Sequence, residues 1–300
     1  MYVVCPIAMF LARPYFHETP PPSKDANVLA QAFRVFRLAS KGCFTLNPAR
    51  LYRNLTSPTF WDSALPSTIH PTQRPEWMTF DDTFVHEIAR GLAACKLFLF
   101  FPFYWLSYNQ MNNNLTSQAA TMNTHGLPND FFSNANPVAL IIFIPLLEHG
   151  IYPFLRRIGR PAMPLRKIAL GFTCGALGLL FAAVLQHFIY RSSKCGVWAN
   201  ECKEPTEISA WVQVGCFALI GLSEVLAVTT GMEYAFTQAP ESMRGLVMAV
   251  FWFMAALGAL LQQVFTPVSE DPWLVVNYAV PAGLLVLMVG LFSWTVKGKE

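Results

Sequence analysis

The sequence predicts an all-α membrane protein, and three observations carry that prediction. Of its 300 residues, 54% are apolar and only 13% charged, where a soluble domain carries about 25% charged residues. Apolar runs of roughly 20 residues recur, long enough at about 1.5 Å per residue to cross a hydrocarbon layer of about 30 Å. The basic residues gather in every other connection, on one side of those runs, the bias expected of a multi-pass chain. The net charge of +3 gives no reason to expect a nucleic-acid partner. The seven cysteines are scattered, with no CxxC pair to suggest zinc or redox chemistry.

Residues 1–16, MYVVCPIAMFLARPYF, are too short to span unaided. They read as the remnant of a preceding transmembrane helix or as an interfacial anchor, and they lack the basic start and small-residue cleavage site of a signal peptide. Residues 17–90 hold eight prolines, mixed charge and no spanning run, which reads as a linker. Within it, Val28, Leu29, Ala32, Phe33 and Phe36 recur at helical spacing against Gln31, Arg34, Arg37 and Lys41. This pattern predicts an amphipathic helix on the membrane surface. TFDDTFVHEIARGL predicts a second short helix, with Thr79 as its cap and Asp81 and Asp82 in its first turn.

Residues 91–300 predict a six-helix transmembrane bundle with spans near 92–116, 136–156, 167–190, 208–232, 244–267 and 273–295. The connection 156–167 holds five basic residues and no acid, so it is expected to be cytoplasmic, with Arg244, the C-terminal KGKE and the 17–90 linker on the same side. Cys195 and Cys202 fall in a loop on the opposite side, where oxidation can join them or leave two unrelated thiols. The acceptor patterns at Asn54 and Asn114 fall on the cytoplasmic side and at a span, and carry no weight.

Polar groups within the spans are the candidates for function, because lipid satisfies none of them. The first span is apolar, then runs through Asn109, Gln110, Asn112, Asn113, Asn114, Thr116, Ser117 and Gln118. Trp105, Asn109 and Asn112 share a helical face and are expected to line a cavity; the alternative is a helix that ends early. Glu148 is expected to pair with Arg156 or Arg157, Gln186 to meet headgroups or water, and Glu233 to pair with Arg244. Gln262 and Gln263 are expected to bond neighbouring helices. Glu224 is the strongest signal: a carboxylate near the centre of the fourth span with no basic residue within a turn. Desolvation favours its protonated form unless a cation faces it, so it predicts a proton carrier or a cation site. The alternative is a neutral acid bonding a neighbouring helix. No nucleotide loop, metal-ligand cluster or nucleophile–base pair suggests an enzyme.

FYWLSYNQMNNNLTSQAATM, NPVALIIFIPLLEHGIYPFLRR and above all GLSEVLAVTTGMEYAFTQAPESMRGLVMAVFWF resemble the proton-dependent oligopeptide transporters, specifically the fungal di- and tripeptide transporters of the POT/PTR family. The resemblance covers nearly the whole chain but only the second half of the family's twelve-helix major-facilitator fold. It implies that the six spans match helices seven to twelve, with 17–90 as the cytoplasmic connection. It also implies a site between two six-helix halves. The family's first-helix glutamates and arginine and its fourth-helix lysine have no counterpart here, so the N-terminal half is needed for a complete site.

Residue by residue, the resemblance makes Glu224 the acid that binds the peptide's α-ammonium group. Asn136 becomes a contact to the peptide amine or backbone, and Trp105 an aromatic lining the cavity. Asn109 departs from the acid of many members, which leaves gating to differ or to use Gln110. Phe251 or Trp252 corresponds to a side-chain-pocket aromatic. The expected function is proton-coupled symport of di- and tripeptides through the plasma membrane, with the proton as coupling ion and no bound cofactor. The alternatives are a non-transporting fragment or partner protein, or a related carrier for another small nitrogenous solute.

Overall fold

The computed structural model describes residues 10–15, 28–41, 54, 57–68, 70, 74, 78, 80–202 and 204–297, and among them every regular element is helical. The chain divides into two compact units, Met1–His86 and Glu87–Glu300.

In the first unit, α1 (Val28–Ala39) buries Ala32, Val35 and Ala39. That stripe of small side chains packs against the 3-10 turn Pro58–Ala64, where the Phe60 and Trp61 rings meet edge-on at 4.9 Å. Phe33, expected on the same apolar face, is 68% exposed, because Val35 and not Phe33 completes the buried stripe. α2 (Asp82–Cys95) starts where Asp82 accepts the Ser67 backbone N–H at 3.0 Å. Hydrogen bonds from the Ser67 side chain and backbone hold the Asp82 carboxyl below the usual carboxylate range. The expected cap, Thr79, lies outside the described residues.

The second unit is a helical bundle. After a 3-10 turn at Lys96–Phe100, α3 runs from Phe101 to Ala120, with Pro102 in its first turn. Four longer elements and one of 20 residues follow: α4 (Asn129–Arg157), α5 (Pro164–Ser192), α6 (Ala210–Gln238), α7 (Arg244–Gln263) and α8 (Leu274–Val296). Among the described residues these five are long and apolar enough to cross a membrane. α3 falls short of that hydropathy because amide side chains fill its second half. The expected start at residue 92 also moves: residues 92–95 belong to α2, and the tighter 3-10 turn separates them from α3.

α5 is the central post, packed on α8, α6 and α3; α7 packs on α3 and α4 on α6. At one end a knot of aromatic rings forms the core, with Phe101 4.9 Å from Phe251 and 5.3 Å from Phe172. At the other end Phe132, Leu179, Phe217 and Tyr278 do the same work. Gly258 sets the α3–α7 spacing: a Cβ there would lie 2.4 Å from the Trp105 Cβ and 2.9 Å from the Pro102 carbonyl oxygen. Without a side chain the two backbones approach closely, the standard device for helix pairs in lipid, where no hydrophobic drive holds them together.

Amides tie the bundle internally. Gln118 of α3 donates to Gln186 of α5 at 2.8 Å and accepts from Gln213 of α6 at 2.9 Å. Gln186 is thus fully buried and not at a headgroup boundary as expected. At the same end, Thr206 N–H donates to the Thr121 carbonyl and Asn123 pairs backbone to backbone with Ile208 and Ala210. Cys195 and Cys202 form a disulfide there, which resolves the alternative left open by the sequence. Lys194 and Glu204 close an exposed ion pair across the same loop. Asp271 takes hydrogen bonds from the Tyr190 hydroxyl and the Asn200 N–H.

Candidate functional site

α6 leaves regular α geometry directly after its carboxylate. Glu224 is followed by a π-helical turn, Val225–Thr229, and α4 contains a second, Leu146–Ile151. A π turn accommodates one extra residue and re-aims the side chains around it, and such turns gather at functional sites.

Glu224 is partly buried and receives two hydrogen bonds on the same oxygen. The Tyr108 hydroxyl of α3 donates to Oε2 at 3.2 Å, and the Asn136 amide of α4 donates to Oε2 at 3.3 Å. Three helices therefore converge on one carboxylate. Both donors are neutral. Among the described residues Glu224 enters no ion pair, and its Oε1 takes no hydrogen bond. Neutral donors supply no counter-charge, so a cation reaching this carboxyl group would meet no competing positive side chain.

The close approach that permits this comes from Gly221, one turn before Glu224. A Cβ at Gly221 would lie 2.9 Å from the Ala139 Cβ and 3.1 Å from the Asn136 Oδ1. On the opposite side, the buried Ser223 hydroxyl donates to the Gly171 carbonyl of α5 at 2.7 Å, which fixes the rotation of α6. Asn136 Oδ1 itself has no partner among the described residues, so a buried acceptor sits beside the carboxylate.

Aromatic rings continue the site from α3 to α7. The Trp105 ring stands edge-on to Tyr108 at 5.3 Å and lies 6.0 Å from Trp252. Trp105 is 9% exposed and its indole N–H has no partner among the described residues. Of the two aromatic candidates on α7, Phe251 is fully buried in the core, while Trp252 is 49% exposed beside Trp105.

The sequence-predicted residues thus separate. Glu224 and Asn136 meet through a hydrogen bond; Trp105 stands between Trp252 and Tyr108, the residue sequence reasoning missed. Its position, three residues after Trp105 on the same helix face, was the available signal. Asn109 is partly exposed and unbonded among the described residues. Gln110 is elsewhere: fully buried, it donates to Asn277 of α8 at 3.0 Å and accepts from Asn114 at 2.6 Å. There it joins α3 to α8. The Asn112 side chain lies outside the described residues.

Near the connection 156–167, two pairings differ from expectation. Arg244 meets Glu241, 3.7 Å away in the turn before α7, and lies over the Phe236 ring; among the described residues it forms no ion pair with Glu233. Glu148 forms no ion pair with Arg156 or Arg157 among the described residues. Gln262 is half-buried and Gln263 exposed near the end of α7. Among the described residues, no three His, Cys, Asp or Glu side chains are placed to hold a metal.

The model of the POT family matches residues 1–280. Peptide transporter PTR_B of Candidozyma auris is 44% identical over 78% of this chain and 40% of its own. The probable peptide transporter ptr2 of Schizosaccharomyces pombe is 35% identical over 98% of this chain and 45% of its own. The chain thus spans less than half the length of these curated relatives. The in meso crystal structure of the POT family transporter PepTSo superposes with a TM-score of 0.68, covering 98% of this chain and 63% of that one, at 19% identity.

Proposed function

The chain belongs to the POT family, and we propose on that premise that it supplies one wall of a proton-coupled di- and tripeptide symporter. The reading rests on one observation: the Glu224 carboxylate, at mid-helix in α6, is held only by neutral donors and keeps Oε1 open. A peptide carries its ammonium group into the membrane only if an anion meets it there, and a free carboxylate at depth is costly unless it has such a task. In this reading Glu224 binds the ammonium group and Asn136 Oδ1 accepts a hydrogen bond from it. Trp105 donates its indole N–H to the peptide backbone, Trp252 contacts a peptide side chain, and Asn109 lies at the rim. Gln110 keeps α3 and α8 in register. The proton is the coupling ion, the plasma membrane the site of action, and the linker side cytoplasmic. The peptide's carboxylate is held by the other six-helix half.

The test is a chimera in which this chain replaces the matching part of the S. pombe relative. Glu224→Gln is expected to abolish uptake of dipeptides with free amino termini at unchanged surface expression. Normal uptake overturns the assignment. A second reading, a non-transporting fragment or partner protein, is favoured by the short coverage of the relatives. The same chimera decides it: uptake above that of cells lacking the transporter supports the transport reading, and a chimera that reaches the surface but takes up no dipeptide favours the non-transporting one.

A further inference from the structure

Beyond Glu224, residues of both π turns line a half-open cavity of about 310 Å³, within the range of about 300–1,000 Å³ typical of small-molecule sites. Glu148 comes from the π turn of α4, Thr229 from the π turn of α6, and Glu233 from one turn further along α6. Arg156 and Lys167 complete the polar wall, from the end of α4 and the start of α5. Two acids and two bases therefore face one space. They do not neutralise each other: among the described residues none of the four enters an ion pair. Lys167 instead rests its ammonium group 4.0 Å above the Tyr152 ring. Opposite charges kept apart around a cavity fit a ligand that carries both signs, because each end then finds its own counter-charge without a shared neutralising pair.

We propose that this cavity binds a small zwitterion, its ammonium group between Glu148 and Glu233 and its acid group on Arg156 and Lys167, as a second station for the transported peptide. The proposal rests on the transport reading for the identity of the ligand. Its place in the path follows from the chain: Val225, the residue after Glu224, lines the cavity, and Glu233 lies nine residues on, about 13 Å along the helix. A peptide leaving Glu224 toward the basic connection meets this space next. A zwitterionic lipid headgroup shares the chemistry and is the other source.

Saturation-transfer NMR of dialanine on the full 300-residue chain in dodecyl maltoside, a non-ionic detergent, tests it. The Glu224→Gln protein is expected to retain a signal above empty micelles. Adding Glu148→Gln and Glu233→Gln is expected to reduce it at least threefold. On the Glu224→Gln protein itself, with no further change, N-acetyl-dialanine and dialaninamide are each expected to lose the signal at least threefold, a comparison that no folding defect can blur. Retention by the triple variant or by both capped analogues overturns the proposal. So does glycerophosphocholine displacing dialanine completely at a tenth of its concentration, which makes the cavity a headgroup site. If Glu224→Gln alone removes all signal, the second station fails while the transport reading stands. If Glu224→Gln changes nothing and the cavity substitutions remove the signal, the role of Glu224 fails instead.

Discussion

The Tyr108 hydroxyl donates to the Glu224 Oε2 across 3.2 Å, a bond between residues 116 apart in sequence that ties α3 to α6 at the candidate site. It helps hold the carboxylate in place, while Oε1 takes no hydrogen bond among the described residues. Tyr108→Phe removes only the hydroxyl. A net hydrogen bond to a charged group is worth about 1.5–3 kcal/mol, so in the chimera KM for dialanine is expected to rise at least about tenfold with little change in maximal uptake. Equal losses in both parameters would mean that Tyr108 acts on the transport step and not on orientation.

Gln118→Leu removes one member of a fully buried amide chain and strands polar atoms of Gln186 and Gln213. Interhelical hydrogen bonds in membrane proteins average about 0.6 kcal/mol, and up to about 1.7. With the bond from Gln118 to the Ala182 carbonyl, three bonds are broken, and stability is expected to fall by about 2–5 kcal/mol, read as a lowered unfolding midpoint in detergent. An unchanged midpoint would show that the amides are replaceable by packing alone.

Gly258→Leu forces α7 away from α3, because even a methyl group would meet the Trp105 Cβ at 2.4 Å. Two backbone atoms of α3 lie within 3.0 Å of the same point, so no rotamer relieves the clash. Both lower thermal stability and loss of Trp105–Trp252 proximity are expected. A cross-link or fluorescence distance between α3 and α7 that stays constant would refute this.

The Lys194–Glu204 pair sits beside the disulfide and is fully exposed. Lys194 holds the Glu204 carboxyl below its usual value, and Glu204 raises the Lys194 ammonium group above its own. The lowered acid loses its contribution only as pH falls through its folded value, below 4.5; the raised base loses its contribution only above 10.5. Exposed pairs add little. Glu204→Gln is therefore expected to leave the unfolding temperature unchanged at pH 7, and the wild-type loop to exchange its amide hydrogens with no pH-dependent opening between pH 5 and 10 beyond intrinsic chemistry. A measurable drop would mean that the disulfide loop depends on the ion pair.

What sequence could reach here follows from what each signal encodes. Long apolar runs encode lipid exposure, so α4 to α8 were legible as spans. An acid amid apolar residues encodes an energetic cost, so Glu224 stood out. An amide encodes only a need for partners: Asn109 and Gln110 read alike, yet one is partly exposed and the other links α3 to α8. Tyr108 read as one more ring in an aromatic stretch, since its hydroxyl counts only once Glu224 is opposite. Arg244 was matched to the wrong acid because Glu241, three residues before it, lies in a turn whose shape the pattern does not carry. The π turns left no trace, as their composition is that of any apolar helix.

Those turns make α6 an angular instrument as well as a span. Each residue of a helix advances the side chains by about 100°, so the phase between Glu224 and Glu233 is set by how many residues the wide turn absorbs. Deleting one residue from Val225–Thr229 would keep every polar group in the chain and yet swing Glu233 about a quarter turn away from Glu148. The geometry at this end of the molecule is thus sensitive to counting as much as to chemistry, and a one-residue gap there is a larger change than most substitutions.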